Sequence, residues 1–503
     1  MDGRNLVSSG DDSFINIIAF NETLISMALM MRVYFFILFI FLASKVAAQD
    51  STLIYNASIL LSGANNDTPF WIRANQGGAI PLSGNFTVGQ FGLYKVYNLH
   101  DPRVFQWSAG AELVTSYGKS ANIFASDLYA AGKIGPVEVM AGQKRNITGL
   151  VDTLLTSGSL SVSGNSRPLP RVQISIPEFY PLAFTNYFVS IKASYSDGIL
   201  PGTNINYGSI KYISRTYFHQ KTIYFKLGND NGRLTGFVGI NHQAIWGGED
   251  RIWPLYATKP LQAYWHTVTG KMLDRRRIGN HFGTVDMGIQ WKDENWSYYL
   301  YRQSIYENGS LFKVINFTDG LNGLSIKRNK SKYAKTKQFD FHAILFEFLS
   351  TKNQTNDNLL SGMTVLEKGN YYNHYIYRNG WSYHNKNIGT PLVANKNDIK
   401  TDSYSSTSEF TNNNRILAFH TGLTASWLSF NFLFKGTYSR NFGTYISPFE
   451  SRKDQISILL STEKKLSLKF HPVVFASLAS DMGSLYPNST SLMIGIKKMG
   501  FLN

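Results

Sequence analysis

The chain has 503 residues, no cysteine and a formal net charge of +16, with 43% hydrophobic, 14% aromatic and only 16% charged residues. The absence of cysteine excludes a disulfide-stapled miniprotein and any thiolate zinc or iron–sulfur site, and the apolar and aromatic content excludes disorder. Charge this low, against about 25% in ordinary globular domains, combined with 34 Phe, 29 Tyr and 42 Gly, sets the chain apart from a typical soluble enzyme.

In chain order, the first element is a secretory signal peptide over 30–48. Arg32 supplies the positive region, 33–43 is unbroken apolar sequence, and Val46-Ala47-Ala48 provides the small residues of a cleavage site before Gln49. The apolar stretch is too short for a spanning helix, which needs about 20 residues. Residues 1–29, carrying Asp2, Asp11, Asp12 and Glu22, read as an upstream extension. Removing both leaves 49–503, still strongly basic. The most apolar later segment, 416–434, is interrupted by His420, Thr421, Gly422, Ser426 and Asn431, so helical spans are not expected.

What recurs in the mature chain is a period of two. Phe105, Trp107, Ala109, Ala111 and Leu113 alternate with Gln106, Ser108, Gly110, Glu112 and Val114. Val285, Met287, Ile289 and Trp291 alternate with Asp286, Gly288, Gln290 and Lys292, and Leu428, Phe430, Phe432 and Phe434 with Ser429, Asn431, Leu433 and Lys435. A further strand is expected over 466–471. Turn signals lie between such runs, at Asn85, Asp101-Pro102, Gly118, Gly135-Pro136, 229–232 and 293–295. Short helices or extended loops fit 151–160 and 351–360.

Alternating strands build either a soluble sandwich or propeller or a transmembrane barrel, and periodicity alone does not separate them. The signal peptide, the missing cysteine, the continuous run of strands and the aromatic residues near strand ends (Trp71, Trp107, Trp291, Trp296, Tyr298, Tyr299, Tyr301) favour the barrel. At roughly 25 residues per strand and turn, the expected fold is all-β: a single antiparallel transmembrane β-barrel of about 18 strands, with short helices or loops available to plug the lumen.

A series of strings then becomes recognisable: 68–76 (TPFWIRANQ), Ala141-Gly142-Gln143-Lys144-Arg145, 170–177 (PRVQISIP), Phe218-His219-Gln220-Lys221, Gly239-Ile240-Asn241-His242-Gln243, Tyr301-Arg302-Gln303, 319–325 (DGLNGLS), 373–380 (NHYIYRNG) and 439–445 (SRNFGTY). Their order and spacing resemble the Wzi family of capsule-assembly outer-membrane proteins over most of the mature chain. The resemblance implies an outer-membrane β-barrel of a Gram-negative bacterium that acts as a lectin for capsular or other surface polysaccharide, without catalysis. Phe501, third from the end, departs from the aromatic last residue common in such barrels.

Sugars are held by aromatic rings stacked on pyranose faces and by planar amide and guanidinium groups taking paired hydroxyls. Candidate polysaccharide-binding residues are Trp71, Arg73, Asn75 and Gln76, His242 with Trp246, Tyr301, Arg302 and Gln303, and His374, Arg378 and Trp381. The alternative for each is a lumen residue satisfied by its neighbours. The cations Lys327, Arg328, Lys330, Lys332, Lys335 and Lys337 form a patch that either attracts acidic polymer or lipid phosphate or keeps a hairpin loop soluble. No Gly-x-Ser-x-Gly elbow, His-Glu-x-x-His or phosphate loop appears, and the histidines are scattered, so no catalytic residue, metal or cofactor is expected. The expected partners are polysaccharide and outer-membrane lipid, not nucleic acid, and the barrel is expected to be monomeric. A porin or gated channel is the second reading and an outer-membrane hydrolase the third.

Overall fold

The computed structural model describes residues 52–98, 103–207, 210–229, 232–252, 259–273, 276–307, 318–329, 339–354, 369–400, 409–468 and 470–502. The expected signal peptide and upstream extension, and the cations Lys330, Lys332, Lys335 and Lys337, lie outside these residues.

Eighteen strands form one sheet. They are β1 (Leu53–Ala64), β2 (Phe86–Lys95), β3 (Phe105–Tyr117), β4 (Ala121–Ile134), β5 (Val137–Gln143), β6 (Arg171–Pro181), β7 (Val189–Tyr207), β8 (Ile210–Leu227) and β9 (Leu234–Trp246) in the first half. The second half is β10 (Asn280–Lys292), β11 (Trp296–Glu307), β12 (Gly320–Arg328), β13 (Asp340–Ser350), β14 (Ile416–Trp427), β15 (Phe430–Gly443), β16 (Pro448–Lys465), β17 (Val473–Gly483) and β18 (Ser489–Phe501). Each strand pairs antiparallel with its sequence neighbour, and β18 returns to β1 with Phe501 opposite Ile54, closing a barrel without a free edge. Phe501 thus belongs to the closing seam although it is not the last residue.

The period of two becomes an inside and an outside. On β3, Phe105, Trp107 and Leu113 are exposed on the outer wall, whereas Ser108, Glu112 and Ser116 are buried in the lumen. On β10, Met287, Ile289 and Trp291 face out and Asp286 is fully buried. This apolar-out, polar-in order is that of a barrel in lipid, the reverse of a soluble sandwich. Trp107, Trp291, Tyr298 and Trp427 contribute exposed aromatic rings to the outer wall. Trp71 and Tyr301, expected at an interfacial girdle, are instead buried inside, and Tyr299 packs against the same interior. The described residues of 466–471 are also not a strand. They form the turn from β16 to β17, closed by hydrogen bonds from Leu466 N to Pro472 O and from His471 N to Leu468 O. Pro472, which has no N–H to give to a ladder, and His471 at φ 44° break the alternation there.

Both ends of the barrel chain, Leu53 and Phe501, lie at the end bearing the shorter described turns, such as 135–136, 293–295 and 428–429. Outer-membrane barrels keep short turns in the periplasm and longer loops outside, which assigns this end to the periplasm and the described parts of the connections after β1, β5, β9 and β13 to the outer face. Among the described residues, three short α-helices sit in those connections: α1 (Phe70–Arg73), α2 (Glu249–Ile252) and α3 (Pro260–Thr269). No described helix is long and apolar enough to cross a membrane.

Phe346, exposed at the middle of β13 between the buried Leu345 and Glu347, tests this inside-out assignment. Phe346→Arg is expected to lower stability in lipid vesicles by about 2–4 kcal/mol, whereas Asn431→Arg, on the lumen side of β15, is expected to be nearly neutral. Urea titration of the reconstituted variants checks this, and equal losses would contradict the assignment.

Candidate functional site

The lumen is filled by chain entering from the outer end. Segment 65–85 carries α1, whose Phe70, Trp71 and Ile72 are buried; segment 144–170 buries Leu155 and Leu160; and 369–400 buries Tyr372, Tyr377 and Trp381. Backbone bonds join the three: Gly77 N to Gly164 O (2.8 Å), Gly78 N to Asn165 O (3.0 Å) and Ser163 N to Ile388 O (3.0 Å). Gly77 and Gly78 both have positive φ, so a side-chain-bearing residue at either would strain this junction.

The wall grips this plug with buried carboxylates. Glu347 on β13 accepts hydrogen bonds from Thr156 Oγ1 (2.7 Å), Ser157 N (2.6 Å) and the Tyr301 hydroxyl. Asp286 on β10 accepts from Leu150 N (2.9 Å) and Gln303 Nε2 (2.9 Å), and Asp481 on β17 from Phe70 N (2.8 Å). Asp152 of the plug accepts from Ser325 Oγ (2.6 Å) and pairs with Lys327 (2.9 Å), near the periplasmic end of β12. The plug therefore runs down most of the lumen's length. Charge-assisted bonds of this kind are the stronger class, and they satisfy backbone N–H groups that would otherwise be orphaned.

Most of the sequence-derived site residues are parts of this plug or its sockets. The Trp71 ring lies 4.9 Å from that of His420, under the Lys435 ammonium (5.0 Å), and Nε1 donates to Thr437. Arg73 pairs with Asp398 (2.6 Å) and lies over Tyr486. Asn75 takes φ 58° and donates to Ser157 O, while Gln76 is exposed. Tyr301 and Gln303 face the lumen, Gln303 Oε1 accepting from Leu160 N (3.0 Å). Trp381 stands between Phe218 and Phe282, at 6.3 and 5.6 Å. Arg378 lies 3.7 Å from Glu409, and His374 Nδ1 accepts from the backbone of Ile376. Trp71 and Trp381 thus present no exposed ring face.

Arg302, His242 and Trp246 are not in the lumen. Arg302 alternates with Tyr301 and Gln303, so it points outward, donating to Asn322 Oδ1 (2.7 Å). His242 and Trp246 share the outer face of β9 with the exposed Ile240, beneath α3. There Tyr264 donates to Asp197 (2.7 Å), Lys221 donates to Val268 O, His219 meets Asp197 (2.9 Å) and His242 meets His281 (2.9 Å). Burying polar groups on a lipid-facing wall costs several kcal/mol unless they are paired, and α3 covers this cluster while turning Leu261 and Trp265 outward. Of the expected basic patch, Lys327 is held by Asp152 and Arg328 by Asp340.

Within the plug, burial pushes the Asp398 carboxyl up, but the Arg73 guanidinium and the Lys386 ammonium outweigh it and hold the carboxyl below its usual range. Burial, reinforced by His281 and Arg378, pushes the His374 imidazole down to about 3. Both shifts favour an intact plug at neutral pH. Unfolded His374 takes up a proton below about 6.5, so its contribution falls away from there down to about 3; that of Asp398 is lost only as pH drops below about 3.9. Glu409, raised by burial, acts in the opposite direction. Proteolysis of 369–400 is therefore expected to accelerate between pH 6.5 and 3, and the acceleration to flatten in His374→Asn. An unchanged profile in that variant would remove His374 as its source.

Fold and interior together define the class: an 18-stranded outer-membrane-type β-barrel with a plugged lumen. Among solved structures it is similar to Wzi, an outer membrane protein involved in group 1 capsule assembly in Escherichia coli and described as a carbohydrate binding β-barrel, at 14% identity and a TM-score of 0.56 over 88% of this chain and 83% of that one. It is also similar to OccK5 (OpdH) of Pseudomonas aeruginosa, at 7% identity and a TM-score of 0.46 over 90% and 98% of the two chains, and to OccAB4 of Acinetobacter baumannii, at 7% and 0.46 over 90% and 99%. These likenesses concern the fold. No family model and no curated protein matches the chain.

Proposed function

We propose that the protein is a surface lectin of the outer membrane that binds exported polysaccharide and tethers it to the cell. The observation that carries this reading is the plug: 65–85, 144–170 and 369–400 are knitted to one another and to buried wall carboxylates, whereas a diffusion porin requires an open aqueous bore. The likeness to Wzi, itself described as carbohydrate binding, points the same way, as does the order of family-like strings along the chain. No catalytic step is part of the proposal.

Deleting the gene tests it. Polymer synthesis and export should continue while polymer moves from the cell surface into the medium, because only retention is lost. A porin would give the opposite pattern, slower solute uptake under an unchanged coat, and that result alone would defeat the lectin reading.

A further inference from the structure

Beside the plug, against β5 to β8, lies a cavity of about 210 Å³. It runs from Lys144, just past the outer end of β5, and Arg171, at the outer end of β6, toward the periplasmic end, where Lys192 is near the start of β7 and Phe179 near the end of β6. Its lining is unbalanced in charge. Lys144, Arg145, Arg171 and Lys192 face one carboxylate, Glu138. Glu138 accepts a hydrogen bond from the Tyr97 hydroxyl (2.8 Å), and Arg145 is paired with Glu112 and Asp127.

Arg171 is the unusual member. It is only 7% exposed, and Nη1 donates to Gln220 Oε1 at 3.3 Å, but Nε has no hydrogen-bond partner and no carboxylate pairs with the guanidinium among the described residues. Lys144 and Lys192 lie over the aromatic faces of Tyr129 (4.6 Å) and Phe179 (6.0 Å), and neither has an ion pair among the described residues. A buried guanidinium without a counter-charge is costly, and its planar donors suit a carboxylate or phosphate. The rest of the lining selects further: Gln173, Ser194 and Thr222 offer hydroxyl partners, and Phe179 with Met140 offers apolar surface for a sugar ring.

We infer that this cavity is a subsite for a carboxylate-bearing sugar unit, its carboxylate taken by Arg171 with Lys192 and Lys144, and its ring set against Phe179. The inference deepens the lectin reading and rests on it for the polymer, but not for the single sugar.

The test is calorimetric titration of the purified full chain in detergent with glucuronate, with glucose and inorganic phosphate as comparison probes. Glucuronate should bind, glucose should not, and added salt should weaken binding. Arg171→Gln should reduce affinity at least ~tenfold, about 1.4 kcal/mol. If that variant fails to show the heat-modified gel mobility of a folded barrel, Lys192→Gln, at a partly exposed position, carries the same expectation with a smaller loss. Absence of glucuronate binding by the folded parent, unchanged affinity in both variants, or phosphate bound as tightly as glucuronate would overturn the inference. Glucuronate binding by the purified chain together with unchanged polymer retention in the deletion strain would uphold the subsite and defeat the lectin reading, so the two failures are distinguishable.

Discussion

In planar lipid bilayers, the Glu347→Ala variant is expected to pass current in frequent bursts where the parent passes almost none. The Glu347 carboxylate holds Thr156 Oγ1, Ser157 N and the Tyr301 hydroxyl at the middle of the lumen. Hydrogen bonds to a charged group are worth about 1.5–3 kcal/mol each, and truncation leaves the buried Ser157 N–H and Tyr301 O–H unpaired. Segment 144–170 keeps its contacts at Asp286 and Lys327, so the expected state is a plug that detaches and returns, with open probability raised by a factor of ten or more. Glu347→Gln retains one acceptor oxygen and replaces the other with a donor, so it should fall between. A variant as silent as its parent would show that this carboxylate does not anchor the plug.

Trp381→Ala is expected to be the most damaging truncation in segment 369–400. The side chain is fully buried against Phe218 and Phe282, Trp381 N donates to Tyr372 O, and Trp381 O accepts from Ile388 N. Removing a buried Trp costs about 3–5 kcal/mol. Because the barrel hydrogen bonds are untouched, the loss should appear first as protease cleavage within 369–400 at low urea, with heat-modified mobility preserved. Simultaneous loss of both signals would mean that plug and barrel unfold as one unit.

The barrel was legible in the sequence because alternation on β3 and β10 marks two faces whatever lies against them, and the count of strands follows from chain length. The site was less legible, for reasons that differ by residue. Tyr301, Arg302 and Gln303 are neighbours in sequence, but a strand sends Arg302 to the opposite wall; the period that revealed the barrel also divides that trio. His242 and Trp246 obey their strand's parity, and what the sequence hides is α3, a helix on the outside wall whose apolar face reads as one more interfacial segment. Trp71 resembles a girdle residue until α1 is seen inside the lumen. Arg171 and Lys144 stood within recognisable strings, yet an unpaired cation is a property of its surroundings in space. The buried acids Asp286 and Glu347 did carry a signal, each standing between apolar neighbours, Val285 and Met287 in one case and Phe346 and Phe348 in the other.

The plug draws its parts from positions as far apart as 65 and 400, and Phe70 meets Asp481 across 411 residues. Such a lumen cannot be completed while the chain is still emerging: segment 65–85 is available with the first hairpin but acquires its socket only when β17 exists. Ordering distant contacts is entropically slow. Until then the backbone N–H of Phe70 and the polar groups of 144–170 lack their partners on the wall, so the final shutting of β18 against β1 and the seating of the plug belong to one late event. The lag between synthesis and a protease-resistant barrel should accordingly be set by chain completion rather than by insertion of the early hairpins.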